Sequence, residues 1–218
     1  MASYRSLTEL PQLIPVFPLD GALLLPGGEL PLQIFEPRYL NMVDDAMAGD
    51  RVIGMVQTRG GSRARPKLST VGCLGRITSY AETSDGRYLI TLTGVCRFQT
   101  GEELDLRMPY RQVRAAYDRF GLDLDRDEEA EVSDAARARF ATALKRYLNQ
   151  RELDIDWETA NVAPLEALVN SLCMGLPFEP AEKQAFLEAA DLEGRFEVLT
   201  TLLEIDASEP DDERPPLQ

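Results

Sequence analysis

The 218-residue chain has no histidine. That absence removes the commonest general base and the commonest metal ligand together, so neither a Ser-His nor a Cys-His mechanism can operate. Lysine is nearly as scarce. Lys67, Lys145 and Lys183 are the only three, and none follows a glycine, so none can be the lysine of a phosphate-cradling Gly-Lys-Ser/Thr loop. Cys73, Cys96 and Cys173 lack the paired spacing of a zinc site and are an odd number for a disulfide framework, which reads as reduced, buried thiols. No metal or cofactor is expected. With no basic, apolar leader and no apolar run of about 18 residues, the chain is expected to be cytoplasmic with no membrane partner.

Charge is plentiful but uneven. Of the net −14, residues 1–100 contribute +1 and residues 101–218 contribute −15. No acidic residue stands between Arg51 and Ala81, where Arg59, Arg63, Arg65 and Lys67 crowd a short stretch containing Gly and Pro. Its composition predicts an exposed, flexible loop.

The hydrophobic period changes along the chain. The runs Ile14 to Leu19 and Ala22 to Leu25 are punctuated by prolines and predict short or edge strands, Pro26-Gly27-Gly28 a turn, and Leu30 to Phe35 a further strand. Glu36-Pro37 opens a helix with Tyr39, Met42, Val43, Ala46 and Met47 on one stripe, stopped at Gly49. Strands are predicted over Arg51 to Thr58, Val71 to Thr83, Tyr88 to Gln99 and Arg111 to Tyr117. The central pair is joined through Ser84-Asp85-Gly86-Arg87, a strong hairpin signal that turns Ile90 and Leu92 inward with Tyr88. Beyond a polar, acidic stretch from Asp118 to Glu131 the period becomes helical. Ser133 caps a helix carrying Phe140, Leu144 and Tyr147; a second runs from Val162 to Gly175, a third from Pro180 to Ala189, and a fourth from Leu192 to Ile205. The expectation is an α+β protein with a β-rich subdomain over 1–120, a helical bundle over 121–207 and a disordered acidic, Pro-rich tail over 208–218.

Two separated motif sets resemble one family. Ile14-Pro15-Val16-Phe17-Pro18-Leu19, Leu24-Leu25-Pro26-Gly27-Gly28, Leu30-Pro31-Leu32-Gln33-Ile34-Phe35-Glu36-Pro37-Arg38-Tyr39 and Val71-Gly72 are similar to the N-terminal, substrate-binding domain of Lon proteases. In the helical half, Leu176-Pro177, Glu182-Lys183-Gln184, Leu187-Glu188, Asp191 and Arg195-Phe196 resemble that domain's closing helices. The resemblance covers about Leu10 to Glu204. It implies a PUA-like β pseudo-barrel with one early helix, then a helical bundle, and recognition of exposed protein segments. The chain also ends where the family's ATPase and Ser-Lys protease would begin, so the expectation is a stand-alone, non-enzymatic binding module, with a proteolysis adaptor as one form of that role, as a monomer or weak dimer.

Phe35, Arg38, Tyr39 and Met42 are the candidate protein-binding residues, since methionine adapts to varied partners and arginine anchors carbonyls or carboxylates. The bland reading puts Phe35 and Tyr39 in the core and pairs Arg38 with Glu36 or another carboxylate of the first half. The alternative function is RNA binding through Arg59, Arg63, Arg65 and Lys67, because PUA-like folds can bind RNA; the net charge and the lack of interleaved aromatics weigh against nucleic acid. Paired carboxylates offer no catalytic geometry: Asp44 and Asp45 are adjacent on a helix and do not face each other, and Asp123 and Asp125 fall in the expected linker. Cys73 and Cys96 fall on a hairpin diagonal, too wide for a relaxed disulfide. The purified chain is therefore expected to release no phosphate from ATP; release that a single carboxylate substitution abolishes would contradict this reading.

Overall fold

The computed structural model describes residues 4–62, 65–104, 107–125 and 132–206. Six strands, β1 (Leu13–Pro18), β2 (Glu29–Ile34), β3 (Val52–Ser62), β4 (Arg65–Glu82), β5 (Tyr88–Leu104) and β6 (Arg111–Ala116), form one sheet in the order β2-β5-β4-β3-β1-β6. An added β5–β6 pairing closes the last five into a barrel, leaving β2 outside on β5. Only β1–β3 is parallel. This is the α+β pseudo-barrel expected.

The barrel closes around Phe98, fully buried on β5. Gly54 and Gly72 make room for its ring, since a Cβ on either would come within 2.9 Å and 2.6 Å of the ring tip. Helix α1 (Pro37–Ala48) starts at Pro37 and buries Tyr39, Met42, Val43 and Ala46, as its stripe predicts. Its exposed carboxylates are structural: the Tyr110 hydroxyl donates to Asp45 at 2.7 Å, and a hydrogen bond to Asp44 leads the causes that raise the Tyr88 phenol. The Ser84–Arg87 turn closes the β4–β5 hairpin, with Gly86 at φ 76°. Ile90 and Leu92 point into the core and Leu89 outward.

β2 is the terminal strand of the sheet, paired on one side only, and its proline protects the outer edge. Gly94 N–H donates to the Gly28 carbonyl, and continuing that register turns the backbone groups of Glu29, Pro31 and Gln33 away from β5. Pro31 therefore removes the central donor that an added strand would need.

Five expectations are corrected. Ala22 to Leu25 forms no strand; Leu23, Leu24 and Leu25 are buried in irregular backbone, whose Leu25 carbonyl accepts from Gly28 N–H. The basic stretch is not a loose loop, because β3 and β4 run out through it to the pairs Gly61↔Pro66 and Ser62↔Arg65. Positive φ at Gly60 and Gly61 lets the ladder pass its register shifts. Arg63 lies outside the described residues. The supposed second helix is two, α3 (Trp157–Val162) and α4 (Leu165–Gly175), broken before Pro164, which leaves Val162 83% exposed rather than packed.

The fourth correction concerns the polar stretch. Asp118–Leu124 forms 3-10 turns that bury Phe120 and Asp123; residues 126–131 of that stretch, and the tail 208–218, lie outside the described residues. Asp123 accepts from Arg97 three ways, from the backbone N–H (2.8 Å), from Nε (2.9 Å) and from Nη2 (2.7 Å). The Arg97 guanidinium also donates to the Leu187 carbonyl at 3.3 Å and stacks over Phe120 at 4.7 Å. Arg97 is 2% exposed.

Leu187 belongs to α5 (Pro180–Glu188). The chain divides into two compact units, residues 1–128 with 170–188, and residues 129–169 with 189–218. So α5 belongs with the barrel, not with a bundle spanning 121–207. Polar contacts account for this: Gln57 donates to the Pro180 carbonyl, Lys183 to the Gly21 carbonyl and Gln184 to the Val71 carbonyl. In the other unit, α2 (Asp134–Gln150) pairs with α6 (Leu192–Asp206). Ser133 caps α2 by accepting from Ala136 N–H, Phe140 meets Phe196 with ring centroids 5.0 Å apart, and Arg139 bridges Glu197 and Glu204.

Breaking one side of a buried ion pair costs about 3–5 kcal/mol, whereas replacing both sides with apolar groups can be nearly neutral. Asp123→Leu alone should therefore destabilise the protein by about that amount in chemical denaturation, and adding Arg97→Met should recover part of the loss. A single variant costing under about 1 kcal/mol would mean that the pair carries little of the fold.

Candidate functional site

The four candidate protein-binding residues separate by burial. Met42 (0% exposed) is core and presents no surface, and Tyr39 (7%) is core except for the small part that lines the groove beside α1. The helical stripe explains this: both lie on the face that α1 turns to the barrel, where the Tyr39 ring meets Phe17 at 4.3 Å. Burial raises the Tyr39 phenol, with Arg38 opposing the shift. Phe35 (61% exposed) and Arg38 do face solvent. Arg38 pairs with Glu36 at 2.8 Å and lies over the Tyr39 ring at 4.5 Å, while the Arg87 guanidinium sits 5.9 Å from the Phe35 ring.

Beside α1, on the barrel surface, runs a groove of about 530 Å³. Pro18, Leu19, Met108, Pro109 and Tyr110 give it apolar lining, Tyr39 reaches it with its edge, and Arg38, Asp20, Arg65, Glu103 and Arg111 add charge. Met108 is 47% exposed. The lining mixes apolar and charged groups, which the apolar stripe of α1 alone does not predict.

A second groove, of about 370 Å³, shares Arg65, Pro66, Glu103 and Arg111 with the first and adds Arg59, Lys67 and Thr100. The far end of the β3–β4 hairpin is thus a wall common to both. It is held by Glu103 on β5. Arg111 on β6 reaches that carboxylate through Nε (2.8 Å) and Nη2 (2.6 Å) and the Pro66 carbonyl through Nη1 (2.8 Å), and Arg65 adds a bond of 3.1 Å. These bonds, led by the one from Arg111, hold the Glu103 carboxyl below its ordinary range despite some desolvation. Arg111 and Glu103 escaped the sequence reading because their meeting depends on the β5–β6 closure.

No described group offers catalytic chemistry of the kinds weighed from sequence. Asp123 is neutralised by Arg97, Asp44 and Asp45 hold tyrosines, and burial pushes the Cys96 thiol up to about 12, with Asp123 adding to the shift and Arg97 opposing it. Cys73 lies opposite Arg97 and Cys96 opposite Leu74, an offset of one residue rather than the two of the expected same-face diagonal, and both thiols are free and buried. Among the described residues no cluster of three or more Cys, Asp and Glu side chains could hold a metal ion, and no helix is long and apolar enough to cross a membrane.

Comparison with known proteins agrees with the fold. The chain is similar to a Lon N-terminal domain protein from Xanthomonas campestris (22% identity, TM-score 0.63, covering 87% of this chain and 97% of that one). It is also similar to the N-terminal domain of the Mycobacterium avium complex Lon protease (21%, TM-score 0.60, covering 88% and 97%). Among full-length sequences, Lon protease 2 of Myxococcus xanthus is 28% identical over 200 residues, which are 89% of this chain and 24% of that protein. The Lon protease of Anaeromyxobacter dehalogenans is 27% identical over 200 residues, again 89% of this chain but 23% of that protein. The chain thus spans about a quarter of the length of these relatives. Residues 13–204 match the model of the ATP-dependent protease La (LON) substrate-binding domain, and the chain belongs to that family.

Proposed function

We propose that the protein is a non-catalytic module that binds exposed segments of other proteins, as an adaptor for proteolysis, working as a monomer or weak dimer in the cytoplasm. The observation that carries this reading is the groove beside α1. Its apolar lining of Pro18, Leu19, Met108 and Tyr110 can take side chains of an unfolded segment, and Arg38 stands on its rim. Methionine suits such a surface, because an unbranched thioether repacks around differently shaped side chains. Arginine complements it, since its planar fork can hold a main-chain carbonyl or a carboxylate. Phe35, exposed at the strand-to-helix corner, adds an aromatic contact. Family membership supports the same reading.

The RNA alternative gains nothing from the geometry. No aromatic side chain lines the groove between Arg59 and Lys67, and single-stranded nucleic acid is gripped mainly by stacking on aromatics together with phosphate contacts.

In an aggregation assay the protein should slow precipitation of a denatured client at micromolar ratios without nucleotide, and protection should persist at high salt because apolar contacts are not screened. Arg38→Ala should weaken protection several-fold, on the order of 1 kcal/mol. Its melting temperature should barely move, since the Arg38–Glu36 pair is exposed and such pairs contribute little. A large fall in melting temperature with undiminished protection would make Arg38 structural and place the contact surface elsewhere.

A further inference from the structure

The groove between Arg59 and Glu103 has a charge imbalance that the fold does not use. Arg59, Arg65, Lys67 and Arg111 line it against one carboxylate, Glu103. Both oxygens of that carboxylate are already taken, one by Arg65 and Arg111 and the other by Arg111. Arg111 is spent on Glu103 and the Pro66 carbonyl. Among the described residues, Arg59 uses only Nε, on the Leu68 carbonyl, Arg65 uses only one terminal nitrogen of its side chain, and the exposed Lys67 ammonium meets no partner. Three cations therefore present spare donors to one groove of a chain whose net charge is −14. On the same wall Thr100 holds a buried hydroxyl with no hydrogen-bond partner, the one such side-chain atom among the described residues.

We propose that this groove binds the carboxylates of an acidic protein segment, and that the segment continues past Arg65 so that its apolar residues enter the groove beside α1. The proposal rests on the protein-binding reading above and assigns that reading a segment chemistry. Charge complementarity names the occupant: three cations with free donors match side-chain carboxylates, and guanidinium forks take them in paired bonds. A small free anion would use one groove. The two grooves instead share Arg65, Pro66, Glu103 and Arg111, which makes one continuous surface suited to an extended chain. The overall negative charge does not forbid this, because at physiological salt charges more than about 8 Å away are largely screened, leaving the local cations to dominate. The hairpin's pairing and the Glu103 bonds hold Arg65 in place beforehand, which lowers the ordering cost of binding.

Fluorescence anisotropy on the full chain tests this with two labelled peptides, an apolar run flanked by glutamates and the same peptide with every Glu replaced by Gln. The glutamate peptide should bind about tenfold more tightly at low salt, with the advantage shrinking toward unity as salt rises. Lys67→Glu, and Arg59→Glu with it, should erase the advantage while leaving the affinity for the glutamine peptide and the melting temperature unchanged. If the double variant misfolds, Lys67→Glu alone, at an exposed side chain without a partner, should still cut the advantage by about half or more in free-energy terms. Equal binding of the two peptides would overturn the proposal and leave the protein-binding reading intact. Failure of both peptides would remove both readings. A single-stranded oligonucleotide that binds more tightly than the glutamate peptide, and loses that binding in Lys67→Glu, would show the cations serving phosphates instead.

Discussion

The barrel unit depends on one buried charge pair. A guanidinium in an apolar interior is costly to desolvate, and it persists only when its donors and its counter-charge are well placed. Arg97 meets that condition: Asp123 accepts from its Nε, Nη2 and own backbone N–H, the Leu187 carbonyl takes a further bond, and the Phe120 ring covers its face. The bonds join β5 to the 3-10 turns at Asp118–Leu124 and to α5, segments 26 and 90 residues away in sequence. This is why a stretch with the composition of a linker is ordered, and why α5 belongs to the barrel unit although α6, which follows it in the chain, packs with α2 in the other.

A second charge cluster, at the surface, does a different task. Glu103 accepts from two arginines on two other strands, and Arg111 continues to the Pro66 carbonyl. Any single exposed pair of this kind contributes little to stability, but a network fixes where its members stand. Here it fixes the far end of the β3–β4 hairpin, which would otherwise be held by its glycine-containing ladder alone. The result is a wall between two grooves on one unit, with Arg65 and Arg111 reaching both.

The outer edge of β2 is guarded against unwanted strand addition. Backbone groups of Glu29, Pro31 and Gln33 face away from β5, and the middle one has no N–H to give. Recognition by strand addition at this edge is disfavoured.

The sequence by itself determined the class and order of the elements. Proline and glycine positions, the Asp85-Gly86 turn and the stripes of α1, α2 and α6 are local signals, and local signals survive in a linear reading. The motifs from Ile14 to Tyr39 and from Leu176 to Phe196 were enough to indicate the family that the comparison establishes. Burial on a helix is legible too: the places of Tyr39 and Met42 on the α1 stripe assign both to the core, against their candidacy as contact residues. Only the tertiary structure decided the rest. Whether Asp123 is linker or core depends on an arginine 26 residues earlier, whether Arg59 to Lys67 is a loop or a paired hairpin depends on ladder bonds that composition does not encode, and the grooves exist because β5 meets β6 and brings Glu103 to Arg111. The physical reason is common to all three: desolvation and hydrogen bonding between residues distant in the chain outweigh the local propensities that a sequence displays.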